Sequence, residues 1–508
     1  MRSQALIGLC VFFLAVLLAW NLANKIVAGD MTSIAFVALV LVALAVAIKI
    51  LSNWRLGFYS FLVWLLFEDL VRKYLGNNMA IYFAKDVLVG LTYIALLIDI
   101  RRGRATIFRP PFRLFFFPFL WLGIIQIFNS NSPSVVYGLM GAKMYFYYVP
   151  LMFVSYSLIR NDEDLRKFLA VNAALAGVIS SLGIAQAILG HSFLNPTTLA
   201  PDLRDLGALD KITPITNQIL SLPTAVFVSS GRFAYYLMVA SILVMGTVGY
   251  LLLYCKRGRK LVYIAFALVL GATLFSGTRG AVVYVVASVL VLAVGFLWGA
   301  PWRWRQAHRM VTAIRRAFLV GSLGLAALLL LFPDQAASRL AFYTETLSPS
   351  SSAFEGQTRG WTYPVEQLKL AFTNRNWLLG NGTGTASLGG QYVVRITGAP
   401  PINVWVEDGY GLLIIEMGIL APFVWLLWTA ALMITGWHVV RRLRQTRLFP
   451  VGLAILWYAF LLLFPLTFGG IVAYQNFVTN AYLWLLVGIL FRLPDLLAPQ
   501  PDRAIVGA

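Results

Sequence analysis

LSPSSSAFEGQTRGWTYPVEQLKLAFTNRNWLLGNGTGTASLGGQYVVRITGAPPINVWVED, residues 347–408, is a polar stretch in a chain otherwise built from long apolar runs. It lies in a segment of about 75 residues between Phe332 and Gly409, too long for a simple connector. A loop of that size inside a membrane protein is a place to look for function. By count, the segment 333–408 holds five basic and six acidic residues, so its arginines are separate features and not parts of a cationic surface.

Around this segment the composition is that of a polytopic membrane protein: 60% hydrophobic and 12% charged residues over 508 positions. Spans are expected near 5–21, 32–51, 56–75, 80–100, 113–128, 135–159, 168–189, 232–254, 259–275, 280–298, 317–332, 409–435, 450–470 and 477–492. Glu68, Asp69, Arg72 and Lys73 crowd the end of the third, and the fifth and eleventh are short. The expected fold is therefore an all-α bundle of 12–14 transmembrane helices with a large extracytoplasmic loop containing short helices. Residues 1–332 form the first eleven spans, with a smaller outer loop at about 190–231. The large loop is 333–408, the last three spans occupy 409–492, and 493–508 is a Pro-rich cytoplasmic tail expected to lack structure.

The net charge of +20 raises the question of nucleic acid, and its distribution answers it. With both termini cytoplasmic, 26 of the 40 Lys and Arg residues lie in or beside loops on one side. The clusters at Arg101–Arg113, Lys256–Lys260, Arg303–Arg316 and Arg441–Arg447 all do so, which is the positive-inside pattern. The expectation is the bilayer as partner and no nucleic acid. Cys10 and Cys255 lie in the first span and at a cytoplasmic boundary, where no disulfide framework forms. Met1–Lys25 lacks a small-residue cleavage site and reads as an uncleaved first span. Asn381-Gly-Thr383 matches a glycosylation sequon, a pattern that arises easily by chance.

Few residues can carry chemistry. Arg279, in SGTRGAVVY (276–284), sits in the tight turn between the ninth and tenth spans. It snorkels to lipid headgroups, pairs or binds an anion. Arg359, in GQTRGWTY, opens an amphipathic stretch in which Trp361, Val365, Leu368 and Phe372 share a helical face. That helix is expected either to lie on the bilayer or to pack on the other outer loop. Arg359 is a solvated loop residue or, with Arg279, half of a fork for pyrophosphate. Arg232, in SSGRFAYY, is a third candidate, with snorkelling the favoured account.

Glu407 and Asp408 close the loop just before a span, as a general base or as an acidic pair on a helix N-terminus. Glu416 is expected to pair within the bundle. The run Gly380–Gly390 is a turn or a phosphate cradle, but it lacks the Gly-Lys-Ser/Thr ending of a nucleotide loop. His191, His308 and His438 have no metal-ligand spacing, so no metal and no cofactor are expected.

Three patterns together resemble the bacterial O-antigen ligase and polymerase superfamily. SGTRGAVVY is similar to its Ser-x-Arg-Gly turn between spans. Arg359-Gly-Trp361 with NWLLGNGTG (376–384) is similar to its Arg…Trp…Pro-Leu-Leu-Gly-x-Gly loop, and EDGYGLLIIEMGILA (407–421) to its His-Asn…Glu-x-Gly-Ile-Leu-Gly motif. Glu407 stands where the ligases have histidine, which favours the polymerase branch over the ligase. Residues 232–425 carry the resemblance.

It implies a metal-independent, inverting glycosyltransferase of the bacterial inner membrane, acting on polyprenyl (undecaprenyl) pyrophosphate-linked oligosaccharide as donor and acceptor. A chain-length regulator is a possible further partner. Arg279 and Arg359 would stabilise the leaving pyrophosphate and Glu407 would accept a proton. Arg232, Trp361, Trp405, Asp408 and Tyr410 would contact substrate, with the aromatic residues stacking on sugars. A ligase-type transferase and a lipid-linked oligosaccharide flippase are the alternatives, and against the flippase no two-fold repeat is visible.

Overall fold

A computed structural model describes residues 31–196, 210–254, 258–301, 330–356, 358–387, 389–402, 409–464 and 471–497, with scattered positions in 308–319 and residues 404 and 406. The first expected span, nearly all of the eleventh, Cys10, Cys255, Met1–Lys25 and the tail beyond residue 497 lie outside the described residues. The described chain is mostly helical, and six of its helices are long and apolar enough to cross a membrane. These are Met79–Arg101, Asp162–Leu189, Ser230–Leu253, Arg279–Gly299, Leu420–Arg442 and Phe477–Leu496. Shorter apolar helices run over Leu41–Ser52, Arg113–Phe128 and Phe449–Leu463.

The chain divides into two compact units. One consists of residues up to Val63 with Ala84–Arg104. Its core gathers Ile50, Phe58, Phe61, Leu62, Val89 and Leu96, and Trp54 Nε1 donates to Asp99 Oδ2 at 3.0 Å. The other consists of Trp64–Phe83 and everything from Ala105 onward. Within it the helices Ser230–Tyr254 and Phe477–Arg492 are apolar all round and buried on nearly every side, as a central helix must be. Beside them Phe116, Phe119, Trp425, Trp428 and Trp484 interlock, with Trp428 and Trp484 stacked at 5.8 Å.

Several expected spans differ in their bounds, for local reasons. The seventh begins six residues early, at Asp162, because Asn161 Oδ1 accepts from Asp164 N at 2.9 Å and three acidic residues fill the first turn. The sixth is two helices, Val135–Phe146 and Leu151–Leu158, separated at Pro150, which has no amide hydrogen. The twelfth breaks at Gly418 into Gly409–Met417 and Leu420–Arg442. Gly418 has φ +82°, and a Cβ there would lie 2.9 Å from the Leu379 carbonyl carbon. The tail is not wholly irregular, since Leu493–Leu496 is a 3₁₀ turn whose Asp495 accepts from Arg492 and Tyr156.

The polar segment is a folded body with three α-helices, Pro333–Leu347, Tyr363–Thr373 and Gly390–Thr397, and a π turn over Thr358–Thr362. The expected amphipathic helix exists, but its buried contact is another. Leu368 and Ala371 pack on Ile414 and Ile415 of Gly409–Met417, while Val365 and Phe372 are exposed. The helix Pro333–Leu347 ties three segments through Arg339. This buried guanidinium donates to Phe275 O at 3.1 Å, Ser221 O at 3.1 Å and Ala187 O at 3.4 Å. Two of these carbonyls close helix ends that have no intrahelical donor left.

The same helix holds a two-stranded hairpin, Asp210–Ile212 with Ile219–Ser221. Glu345 accepts from Ile215 N at 2.7 Å, Thr216 N at 3.2 Å and Thr216 Oγ1 at 2.7 Å. Burial pushes its pKa up, but these bonds outweigh that and hold it below the ordinary 4.5. A depressed carboxylate contributes stability above its unfolded pKa and loses it as pH falls through the folded one. The protection of the Ile215 and Thr216 amides against exchange, relative to their intrinsic rates, should therefore fall below pH 4.5, and Glu345→Gln should remove that acid step. An exchange profile unchanged by the substitution would contradict the assignment.

Candidate functional site

The helices Arg259–Phe275 and Arg279–Gly299 are joined by Ser276-Gly277-Thr278 alone. Arg279 is thus the first residue of its helix, projecting from a turn too short to let it retreat. Its Nη2 pairs with Oε2 of Glu355, and Arg359 Nε reaches the same oxygen at 3.4 Å. Arg359 belongs to the π turn, whose amide N–H bonds back to Glu355 O at 2.8 Å, so the carboxylate and the second arginine are held by one local fold.

Phe342 of Pro333–Leu347 lies beneath, with the Arg279 guanidinium carbon 5.7 Å and the Lys211 ammonium 5.6 Å from its ring centroid. Arg359 in turn lies 4.7 Å from the Tyr363 ring. Burial, then the Arg279 charge, lower the Lys211 pKa below 10.5; Glu355 opposes this and Arg359 adds to it. The structure therefore brings Arg279 and Arg359 together on one carboxylate, with a lysine from the hairpin beside them. All three remain partly open to solvent, Arg359 most so at 53%.

Arg232 is placed elsewhere, and it does not snorkel. Its Nη1 binds both oxygens of Asp69, at 2.9 and 2.7 Å, and its guanidinium carbon lies 4.7 Å from the Phe477 ring centroid. Asp69 also accepts from Arg72 Nη1 at 3.0 Å and from Val228 N at 3.3 Å. Arg72 continues to Tyr392 Oη at 3.0 Å and to Asn77. Lys73 donates to Thr224 Oγ1 and Ala225 O, both at 2.9 Å. The four charged residues that made the third span hard to place are all buried, where they pair among themselves and with partners from distant segments.

Gly380–Gly390 is not a phosphate cradle. The amide groups of its first part are already taken: Asn381 N by Ile415 O at 2.8 Å, Gly382 N by Glu416 O at 2.9 Å and Thr383 N by Gln126 O at 3.3 Å. Ala386 N donates to Glu416 Oε1 at 3.2 Å, and Tyr145 Oη donates to Oε2 at 2.9 Å, so Glu416 pairs inside the bundle. Gln126 Nε2 donates to Leu379 O at 2.7 Å. Gly384 has φ +83°, and a Cβ there would lie 2.6 Å from Gly141 Cα, which only two glycines back to back permit. The run is a stitch between three segments. Asn381 is buried and bonded, which leaves the sequon without a reachable amide.

Glu407, Asp408 and Trp405 lie outside the described residues, and of Trp361 only the backbone, in the π turn, is described. Tyr410 begins the helix Gly409–Met417 and is half-buried. Among the described residues no group of three or more His, Cys, Asp or Glu is placed to hold a metal ion.

Glu355 was missed by sequence reasoning, although its i,i+4 spacing to Arg359 is a signal. Lys211 was missed because its neighbours are distant in sequence, and for the same reason Asp69, noted only as a charge crowding the third span, was not read as the partner of Arg232. Comparison of the chain with family models, curated proteins and solved structures gives no match.

Proposed function

We propose that the protein polymerises lipid-linked oligosaccharide repeat units. It would transfer a glycan from a polyprenyl pyrophosphate carrier to a hydroxyl of an acceptor glycan at the outer face of a bacterial inner membrane. The observation that carries this reading is the meeting of Arg279 and Arg359 on one carboxylate oxygen. Two forked donors focused on a single anion, partly open to water, suit a pyrophosphate. On this reading 12–14 spans place residues 333–408 outside, both termini inside, and the carrier's isoprenoid chain in the bilayer.

The anomeric C–O bond to pyrophosphate breaks while the acceptor oxygen bonds to the anomeric carbon from the opposite face. Electrons of the broken bond leave on the pyrophosphate, where Arg279 and Arg359 lower the cost of the new charge. The hydroxyl proton passes to Glu407. A ligase-type transfer to a different acceptor uses the same arginines.

A lipid-linked oligosaccharide flippase is the second reading, favoured by the buried Asp69–Arg232–Arg72 group, because ionisable residues inside a membrane bundle often mark a transport path. Purified protein in vesicles, supplied with a lipid-linked repeat unit on the face bearing 333–408, separates them. Polymerisation yields a ladder of longer glycans. Translocation without elongation rejects the polymerase in favour of the flippase.

A further inference from the structure

The carboxylate that unites the two arginines is itself an anion seated where an anionic ligand would sit. Glu355 follows SPSSSAF (348–354), a stretch without regular helix, and its side chain is one-third exposed. Its backbone is held by Glu355 N to Thr346 O at 3.3 Å and by Arg359 N to Glu355 O at 2.8 Å, and its side chain by the two guanidinium partners, so only the side chain has to move for the carboxylate to leave. Around it stand three cations, Arg279, Arg359 and Lys211, from three separate elements: a helix start, a π turn and a hairpin strand. One carboxylate leaves an excess of two positive charges by simple count, which a pyrophosphate can use and a carboxylate cannot fill. Lys211 and Arg279 both lie close to the Phe342 ring, and Arg279, Glu355 and Arg359 are near enough for their charges to act on the Lys211 ammonium.

We infer that Glu355 is a displaceable internal ligand of the anion site, and that Lys211 is a third binding cation for the pyrophosphate group. Binding then requires the carboxylate to leave the guanidinium groups, and the apparent affinity falls with the fraction of molecules in which it has left. The carboxylate holds the arginines paired while the site is empty, so neither charge is left alone at an apolar boundary. It also sets a threshold: a singly charged anion competes poorly against a tethered carboxylate, whereas a pyrophosphate engages all three cations at once. This rests on the reading of the site as a pyrophosphate site.

The test is direct binding of inorganic pyrophosphate to the full-length protein in detergent, by calorimetry. Glu355→Gln keeps the shape and removes the charge, and should bind about tenfold tighter than the unaltered protein. Glu355→Asp, with charge kept on a shorter arm, should fall between them. Arg279→Gln and Lys211→Gln should each bind about tenfold and about threefold weaker. Pyrophosphate binding that is unchanged or weakened in both Glu355 variants overturns the inference. The two readings fail separately. Tightening by Glu355→Gln in a protein that elongates no glycan rejects the polymerase and keeps the internal ligand. Elongation with no tightening does the reverse.

Discussion

On the polymerase reading, Arg279→Ala and Arg359→Ala should each slow glycan elongation about 10²–10³-fold, the loss seen when one donor to a developing anion is removed. The physical ground is that charge on the pyrophosphate grows as the anomeric bond breaks, so a guanidinium there is worth more in the transition state than in the bound donor. The loss should fall mainly on kcat. The double variant should lose less than the product of the two, because both groups act on one charge. Lysine at either position restores charge without the planar fork and should recover only part of the rate.

Folding of the Arg359→Ala protein should be little affected, since that side chain is half exposed and its 3.4 Å contact with Glu355 is a surface i,i+4 pair. Initial rates of chain growth, with a thermal transition on the same preparations, check both statements. A double variant retaining half the normal rate would exclude these arginines from the reaction.

Asp69→Ala has the second large effect, and it falls on stability. Asp69 is 2% exposed and binds Arg232 through both oxygens while also receiving Arg72. Its removal leaves two guanidinium groups facing each other without their shared anion. Losing one member of a buried ion pair typically costs about 3–5 kcal/mol. The variant should yield little folded protein, or a markedly lower thermal transition in detergent. Removing Arg232 as well, in Asp69→Asn with Arg232→Met, should recover much of the loss, since Arg72 keeps Asn77 and Tyr392. An Asp69→Ala protein within about 1 kcal/mol of the unaltered one would show that this group contributes nothing to the fold.

The helices were legible because a membrane-length apolar run announces itself, and because Arg279 had only three connecting residues behind it. The breaks at Pro150 and Gly418 carried their own signals and were still read as continuous spans, since hydropathy alone does not register a missing amide hydrogen or a positive φ. Arg232 was misread for a related reason. Snorkelling assumes that lipid is the alternative environment, whereas here a buried aspartate lies within reach. The Gly-rich run stayed open between a turn and a phosphate cradle because exposed amide groups and occupied ones have the same sequence. Only the positions of the carbonyls at Gln126, Ile415 and Glu416 decide between them.

That stitch also sets an order of assembly. The ribosome delivers Arg113–Phe128 long before residues 380–387, and delivers Ile415 and Glu416 only after them. The run 380–387 is fastened on one side by Gly123 and Gln126, made early, and on the other by Ile415 and Glu416, so a chain halted before Ile415 carries both arginines with that run held on one side only. On the proposed reading, truncated chains left in the membrane would present the arginines without a complete site.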